Sequence, residues 1–218
     1  MTTAIVSLSI DDLDVIAPGA YAAAVAPLFE GARGFLGRLA VARPFGSVEA
    51  MFERSREIAH TMPIEEQLEL IDAHPRLGAP PADVSALSFV EQGYGRGGVD
   101  ADPEAIAEAI AEADEADEAD EADEAAAAGA LPAEADEAAA AGAVAAELER
   151  LNAVYEARFG FRYCVFVAGR SRAALVPGMT AALEADRESE IDRALDAVID
   201  IARDRYATLM PGTREKST

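Results

Sequence analysis

"EIDRALDAVIDIARDRYATL", residues 190–209, places Ile191, Leu195, Val198, Ala202 and Leu209 at steps of four, three, four and seven. That is the repeat of one face of an α-helix. The spacing predicts a long last helix from about Glu188 to Leu209, and the member missing from its apolar stripe is Arg205. A charge on a core-facing stripe must be paired or line a cavity, because an unpaired buried charge is very costly. Two readings stay open. Arg205 either snorkels or forms a structural ion pair near the helix end, or it offers its planar fork to an anion.

The rest of the chain points to an all-α fold as well. Hydrophobic residues make up 51% of the 218 residues, much of this alanine, while aromatics are 6% and tryptophan is absent. Alanine favours helix, whereas aromatic and β-branched residues favour strand. "SVEAMFERSREIAHTM" (47–62) opens on Ser47 as a helix cap and carries Met51, Phe52, Ile58 and Ala59 on one face. "MPIEEQLELIDAHP" (62–75) places Pro63 near a first helical position, then Ile64, Leu68 and Ile71 at i, i+4, i+7. Proline restrains the residue before it, so this helix should stop near Ala73 with His74 at its C-terminus. "VAAELERLNAVYEARFGF" (144–161) reads as an amphipathic helix through Val144, Leu148, Leu151 and Tyr155, ending at Gly160. "FRYCVFVAG" (161–169) reads as one short extended segment.

Charge divides the chain. The net charge is −23, and residues 99–149 hold 18 of the 41 acids and no base; the remaining 23 acids face 18 Lys and Arg, a balance of −5. We therefore expect a single helical domain over 1–210, interrupted at 99–143 by an acidic Ala/Glu/Asp low-complexity insert, with a polar tail at 211–218. The insert repeats "EAD" with period three, which never gathers alanines on one helical face, and its like charges repel. It reads as a solvated expansion or as an acidic docking segment. A field of this sign argues against nucleic-acid or anionic-membrane partners. One cysteine, Cys164, excludes an internal disulfide and a Cys-rich zinc site. The first residues lack a signal-peptide pattern and no long apolar run appears, so a cytoplasmic protein is expected.

Chemistry-bearing residues are few. Of two histidines, His60 lies within the 47–62 helix and reads as surface or structural. His74, before Pro75, suits either a favourable partner of the helix C-terminus or an acid–base group. "SFVEQGYGRGG" (88–98) fits a capping box through Ser88 and Glu91, although the following glycines weaken any helix it starts; a site role is compatible with it. No metal-ligand spacing, G-x-S-x-G, P-loop or nucleotide-binding G-x-G-x-x-G element is present.

Taken together, "PLFEGARGFLGRLAVARPFGSVEAM" (27–51), "EEQLELIDAHPRLG" (65–78), "SFVEQ" (88–92), "LNAVYEARFGFRYCVFVAGRS" (151–171) and the 190–209 helix occur in an order that resembles the 2-oxo-4-hydroxy-4-carboxy-5-ureidoimidazoline (OHCU) decarboxylases of urate breakdown. The resemblance covers about 20–98 and 144–210. It implies an all-helical, often dimeric enzyme with no metal or organic cofactor, which releases CO₂ from a small anionic substrate to give (S)-allantoin. It implies His74, Glu91 and Arg205 as catalytic residues, and Pro75, Ser88, Gln92 and the main chain of Tyr163, Cys164, Val165, Phe166 and Val167 as the substrate contacts. His74 would be an acid–base group titrating near neutrality. Arg162 departs from the pattern, which commonly has proline there; the Phe35 region replaces a common tryptophan, and the acidic insert has no counterpart of its length. The rival expectation is a non-catalytic helical interaction module whose working part is the acidic segment.

Overall fold

Every regular element among the described residues is helical. The structure, a computed structural model, describes residues 8–80, 84–93 and 132–209. The helices are α1 (Ile10–Val15), α2 (Pro18–Val25), a 3-10 turn (Ala26–Phe29), α3 (Arg33–Val41), α4 (Val48–Thr61), α5 (Ile64–Asp72), α6 (Ala86–Glu91), α7 (Pro132–Phe159), α8 (Arg172–Ala182) and α9 (Arg187–Leu209). They fall into two compact units. The first comprises Met1–Pro75, Phe161–Phe166 and Ala185–Thr218; the second comprises Arg76–Gly160 and Val167–Glu184.

In the first unit, α9 packs against α4, α5 and the 3-10 turn. The apolar stripe is borne out: Ile191, Leu195, Val198 and Ala202 are buried. Ser47 caps α4, its Oγ accepting from the Ala50 N–H at 3.1 Å. The N-terminus of α3 is satisfied from α5, where the Glu69 carboxylate accepts from the Arg33 and Gly34 N–H groups at 3.1 and 3.4 Å. A Cβ at Gly34 would come within 2.9 Å of Glu69 Oε2 and displace that carboxylate, so glycine keeps the contact undisturbed. Phe29 and Phe35, both buried, pack at a tilt of 58° with ring centroids 4.8 Å apart.

The buried face of α5 differs from the expected one. Ile64 is 41% exposed, whereas Leu70 and Ile71 are fully buried. Gln67, Leu70, Ile71 and His74 share the face turned to the core, and Gln67 Nε2 donates to the Ala59 and His60 carbonyls, each at 3.1 Å. His74 thus continues the buried face of its helix by one more turn.

The second unit packs α7 against α8, around Leu148, Leu151, Tyr155, Phe159, Leu175 and Met179. Helix α7 begins at Pro132, twelve residues before the Val144 start read from the apolar register, and stops at Gly160 with φ +79°. Helix α8, over a stretch with no element expected from the sequence, runs with Pro177 inside it; Ser171 caps its first turn, accepting from the Ala174 N–H at 3.3 Å. The capping box read at Ser88 is also corrected. The cap of α6 is Ser85, whose Oγ accepts from the Ser88 N–H at 3.2 Å, and Glu91 is the last helical residue. Gly93, in the left-handed region at φ 76°, follows the Gln92 cap and ends this helix, whose Ser85 cap lies one turn before Ser88. Residues 162–167 form no strand; they run without regular secondary structure, as an unpaired extended segment would.

Candidate active site

His74 owes its position to the end of α5. Asp72 is the last helical residue, Ala73 caps the helix, and the His74 N–H still donates to the Ile71 carbonyl at 3.2 Å before Pro75 ends the turn. The side chain is 4% exposed. Its Nδ1 lies 3.3 Å from the Leu70 carbonyl. A carbonyl only accepts, so this contact puts the proton on Nδ1 and leaves the lone pair on Nε2. Nε2 is buried and finds no hydrogen-bond partner among the described residues.

Burial first, and then the Arg205 guanidinium, push the imidazole pKa down to about 4, against the opposite pull of Glu30 and the Leu70 bond. The expectation of titration near neutrality is therefore corrected. His74 rests as a neutral imidazole, with its basic nitrogen presented inside the protein.

The Arg205 anomaly resolves into an ion pair. Its side chain is 1% exposed; Nη2 lies 2.8 Å from Glu30 Oε1, and Nη1 donates to the Pro27 carbonyl at 2.8 Å. Glu30 went unnoticed in the sequence. It ends the 3-10 turn in the left-handed region, φ 48° and ψ 31°, just before Gly31 at φ 73°. A long side chain seldom adopts this backbone, and such strain persists only where the surroundings impose it. The available signal was an acid before glycine at the end of an apolar run, "PLFEG".

The extended segment is held at two points. The Arg162 N–H donates to Asp72 Oδ1 at 2.8 Å, and Arg162 Nη1 donates to the Asp72 and His74 carbonyls at 2.8 and 3.2 Å. Further along, Arg193 Nη1 donates to the Cys164 carbonyl at 2.9 Å, and its guanidinium stacks 4.6 Å over the Tyr163 ring. Glu190, itself buried, binds Arg193 at 2.9 Å. Tyr163 and Cys164 are buried, and Val165, Phe166 and Val167 are partly exposed. Sequence reading missed Arg193 and Glu190, which look like an ordinary i, i+3 pair of the last helix.

The structure brings His74, Pro75, Arg205 and Tyr163 to Phe166 into the first unit, while Ser88, Glu91, Gln92 and Val167 belong to the second. Within the second unit, Gln92 closes the turn after Pro75: Oε1 accepts from the Gly78 N–H at 2.7 Å, and Nε2 donates to the Arg76 carbonyl at 3.1 Å. Ser88 is buried and Glu91 partly exposed. His60 is half-buried on α4, its ring nitrogens 3.2 and 3.0 Å from Asp192 and Asp196 of α9, as befits a structural residue. A shallow groove of about 650 Å³ lies between α3 and α4, but its Arg38 and Glu66 bond each other at 2.5 Å, and it holds no candidate base. Among the described residues there is no group of three or more His, Cys, Asp or Glu that could hold a metal ion, and no helix long and apolar enough to cross a membrane.

Fold and site define an all-helical protein with a buried, uncharged histidine beside an arginine–glutamate pair. The chain belongs to the OHCU decarboxylase family, whose sequence profile matches residues 16–119 and 104–207. It is 25% identical over 202 residues to the uric acid degradation bifunctional protein PucL of Bacillus subtilis (strain 168). That match covers 93% of this chain but 33% of PucL, so the chain spans about a third of that relative's length. Its fold is similar to the crystal structure of an OHCU decarboxylase in the presence of (S)-allantoin, with a TM-score of 0.55 and 17% identity, over 85% of this chain and 96% of that one.

Proposed function

We propose that this chain decarboxylates OHCU to (S)-allantoin without a cofactor, as a carboxy-lyase of urate breakdown. The observation that carries this reading is His74: a buried neutral imidazole whose Nε2 lone pair has no partner among the described residues, beside a buried arginine.

The substrate supplies its own electron sink. One ring carbon carries the carboxylate and a hydroxyl, and its neighbour is part of a C=N bond. As the carbon–carboxylate bond breaks and CO₂ leaves, its electron pair forms a C=C bond to the neighbour. The C=N pair moves to the ring nitrogen, which takes up a proton. The resulting enol becomes the carbonyl of allantoin once the hydroxyl proton leaves and the neighbouring carbon gains one. The balance is one substrate anion and one proton giving allantoin and CO₂.

A neutral histidine suits the second half of this sequence. Nε2 accepts the hydroxyl proton and returns it to the neighbouring carbon from its own side, so one enantiomer forms. The substrate anion offsets the Arg205 cation that depresses the basicity of His74, so binding raises that basicity where it is needed. In this reading Arg205 attracts the anion while Glu30 holds the guanidinium in place. Glu91 orients the hydroxyl or ureido groups; Pro75, Ser88 and Gln92 shape the site; main-chain groups of Tyr163, Cys164, Val165, Phe166 and Val167 steady carbonyl oxygens.

The test generates OHCU from urate in situ and follows the chirality of allantoin by circular dichroism. The chain should accelerate formation of one enantiomer over spontaneous decay, and folded His74→Ala should lose most of that rate. No acceleration by the purified chain refutes the reading.

A further inference from the structure

The chain departs from the family pattern at Arg162, where proline is common, and the departure makes three bonds to the end of α5. We propose that Arg162 is a positioning residue that clamps the His74 corner to the extended segment. This rests on the decarboxylase reading for its kinetic consequence, though not for its geometry.

Two properties of this residue are used at once. Its main-chain N–H donates to the Asp72 carboxylate at 2.8 Å, a bond that proline cannot make. Its guanidinium nitrogen Nη1 donates to the carbonyl oxygens of Asp72 and His74, at 2.8 and 3.2 Å. The last carbonyls of a helix lack partners within the helix and carry partial negative charge, so a cation that donates to them is doubly favoured.

The bond to the His74 carbonyl matters most. The imidazole has one long internal tether, Nδ1 to the Leu70 carbonyl at 3.3 Å, and Nε2 has none among the described residues. The direction of Nε2 therefore depends on the main chain that carries the ring, and Arg162 holds that main chain from outside the helix. The next residues, Tyr163 and Cys164, are fixed by Arg193. Arg162 thus ties the proton-transfer group to the segment assigned to the substrate's carbonyl oxygens, and sets the spacing between them.

The experiment compares Arg162→Ala, Arg162→Lys and Asp72→Ala in the full chain. It reads kcat and KM separately, together with the ¹⁵N imidazole signals of the two histidines. His60, held by Asp192 and Asp196, serves as the internal control. We expect Arg162→Ala to lower kcat about tenfold while KM changes far less, since displacing a reacting group by a fraction of an ångström costs one to two orders of magnitude. The His74 signals should shift or broaden while those of His60 stay in place, and Arg162→Lys should recover part of both effects. Asp72→Ala, which removes only the carboxylate that accepts from the Arg162 main-chain N–H, should move both readouts in the same direction by less, and it decides the matter if Arg162→Ala does not fold. Wild-type kcat with unmoved His74 signals in these variants overturns the clamp. If the wild-type chain does not decarboxylate OHCU, the proposed activity falls, and the imidazole signals alone decide the clamp.

Discussion

Glu30 and Arg205 stand 175 positions apart in the chain, yet Arg205 Nη2 lies 2.8 Å from Glu30 Oε1 with both side chains withdrawn from solvent. The pair costs desolvation to bury, and removing one partner strands the other. Glu30→Gln should therefore destabilise the fold by roughly 3 kcal/mol. The double variant Glu30→Gln/Arg205→Gln should be less destabilised than the sum of the two single variants. Urea unfolding of the four proteins measures this, and strict additivity would show that the pair does not act as a unit.

The depressed pKa of His74 predicts a pH dependence with a definite sign. In the unfolded chain the imidazole titrates near 6.5, and in the folded chain at about 4. Below pH 6.5 the unfolded chain takes up a proton that the folded chain refuses. Stability from the neutral buried form is complete above about pH 6.5, and is lost as pH falls toward 4, by an amount on the order of 3 kcal/mol. Other carboxylates titrate in the same range, so the difference between wild type and His74→Gln is the quantity to follow. The gap between their denaturation midpoints should change between pH 6.5 and 4 and stay constant above it.

The same shift bears on turnover. If His74 first acts as a base, kcat/KM should keep its plateau well below pH 6.5 and fall on an acid limb near pH 4. An acid limb near 6.5 that His74→Ala leaves in place would assign the titration to another group and remove His74 from the proton transfer.

Gln92 closes the turn after the His74 corner with both ends of its amide. Gln92→Leu leaves the Gly78 N–H and Arg76 carbonyl without these partners, at a cost of roughly 2 kcal/mol. Thermal unfolding should show the loss. Gln92→Glu keeps the acceptor for Gly78 but not the donor for Arg76, and should fall between Gln92→Leu and wild type.

The acidic segment should act through its field. Residues 99–149 carry 18 acids and no base, and the proposed substrate is an anion. Deleting residues 100–130 should leave turnover at high salt unchanged and lower KM at low salt, where screening is weak. Loss of turnover at both ionic strengths would give the segment a direct part in the reaction.

Sequence alone determined the helical class, the faces of α4, α7 and α9, the cap at Ser47 and the stop of α5 before His74, because period, capping and proline restraint act within a few neighbouring residues. It also singled out Arg205 as a charge where an apolar side chain belonged. It did not determine what Arg205 meets, since ion pair and anion hook have the same local signature. Asp72, Arg162 and Arg193 carried no local signal of these roles, and Glu30 only that of an acid before glycine; each is an ordinary charged residue until the chain returns and places it against a carbonyl, a ring or an opposite charge. Burial changed the histidine as well. Its ordinary pKa belongs to the side chain, but its neutrality and the direction of its free lone pair come from lost solvent, from Arg205 and from the Leu70 carbonyl, and only the folded chain brings these together.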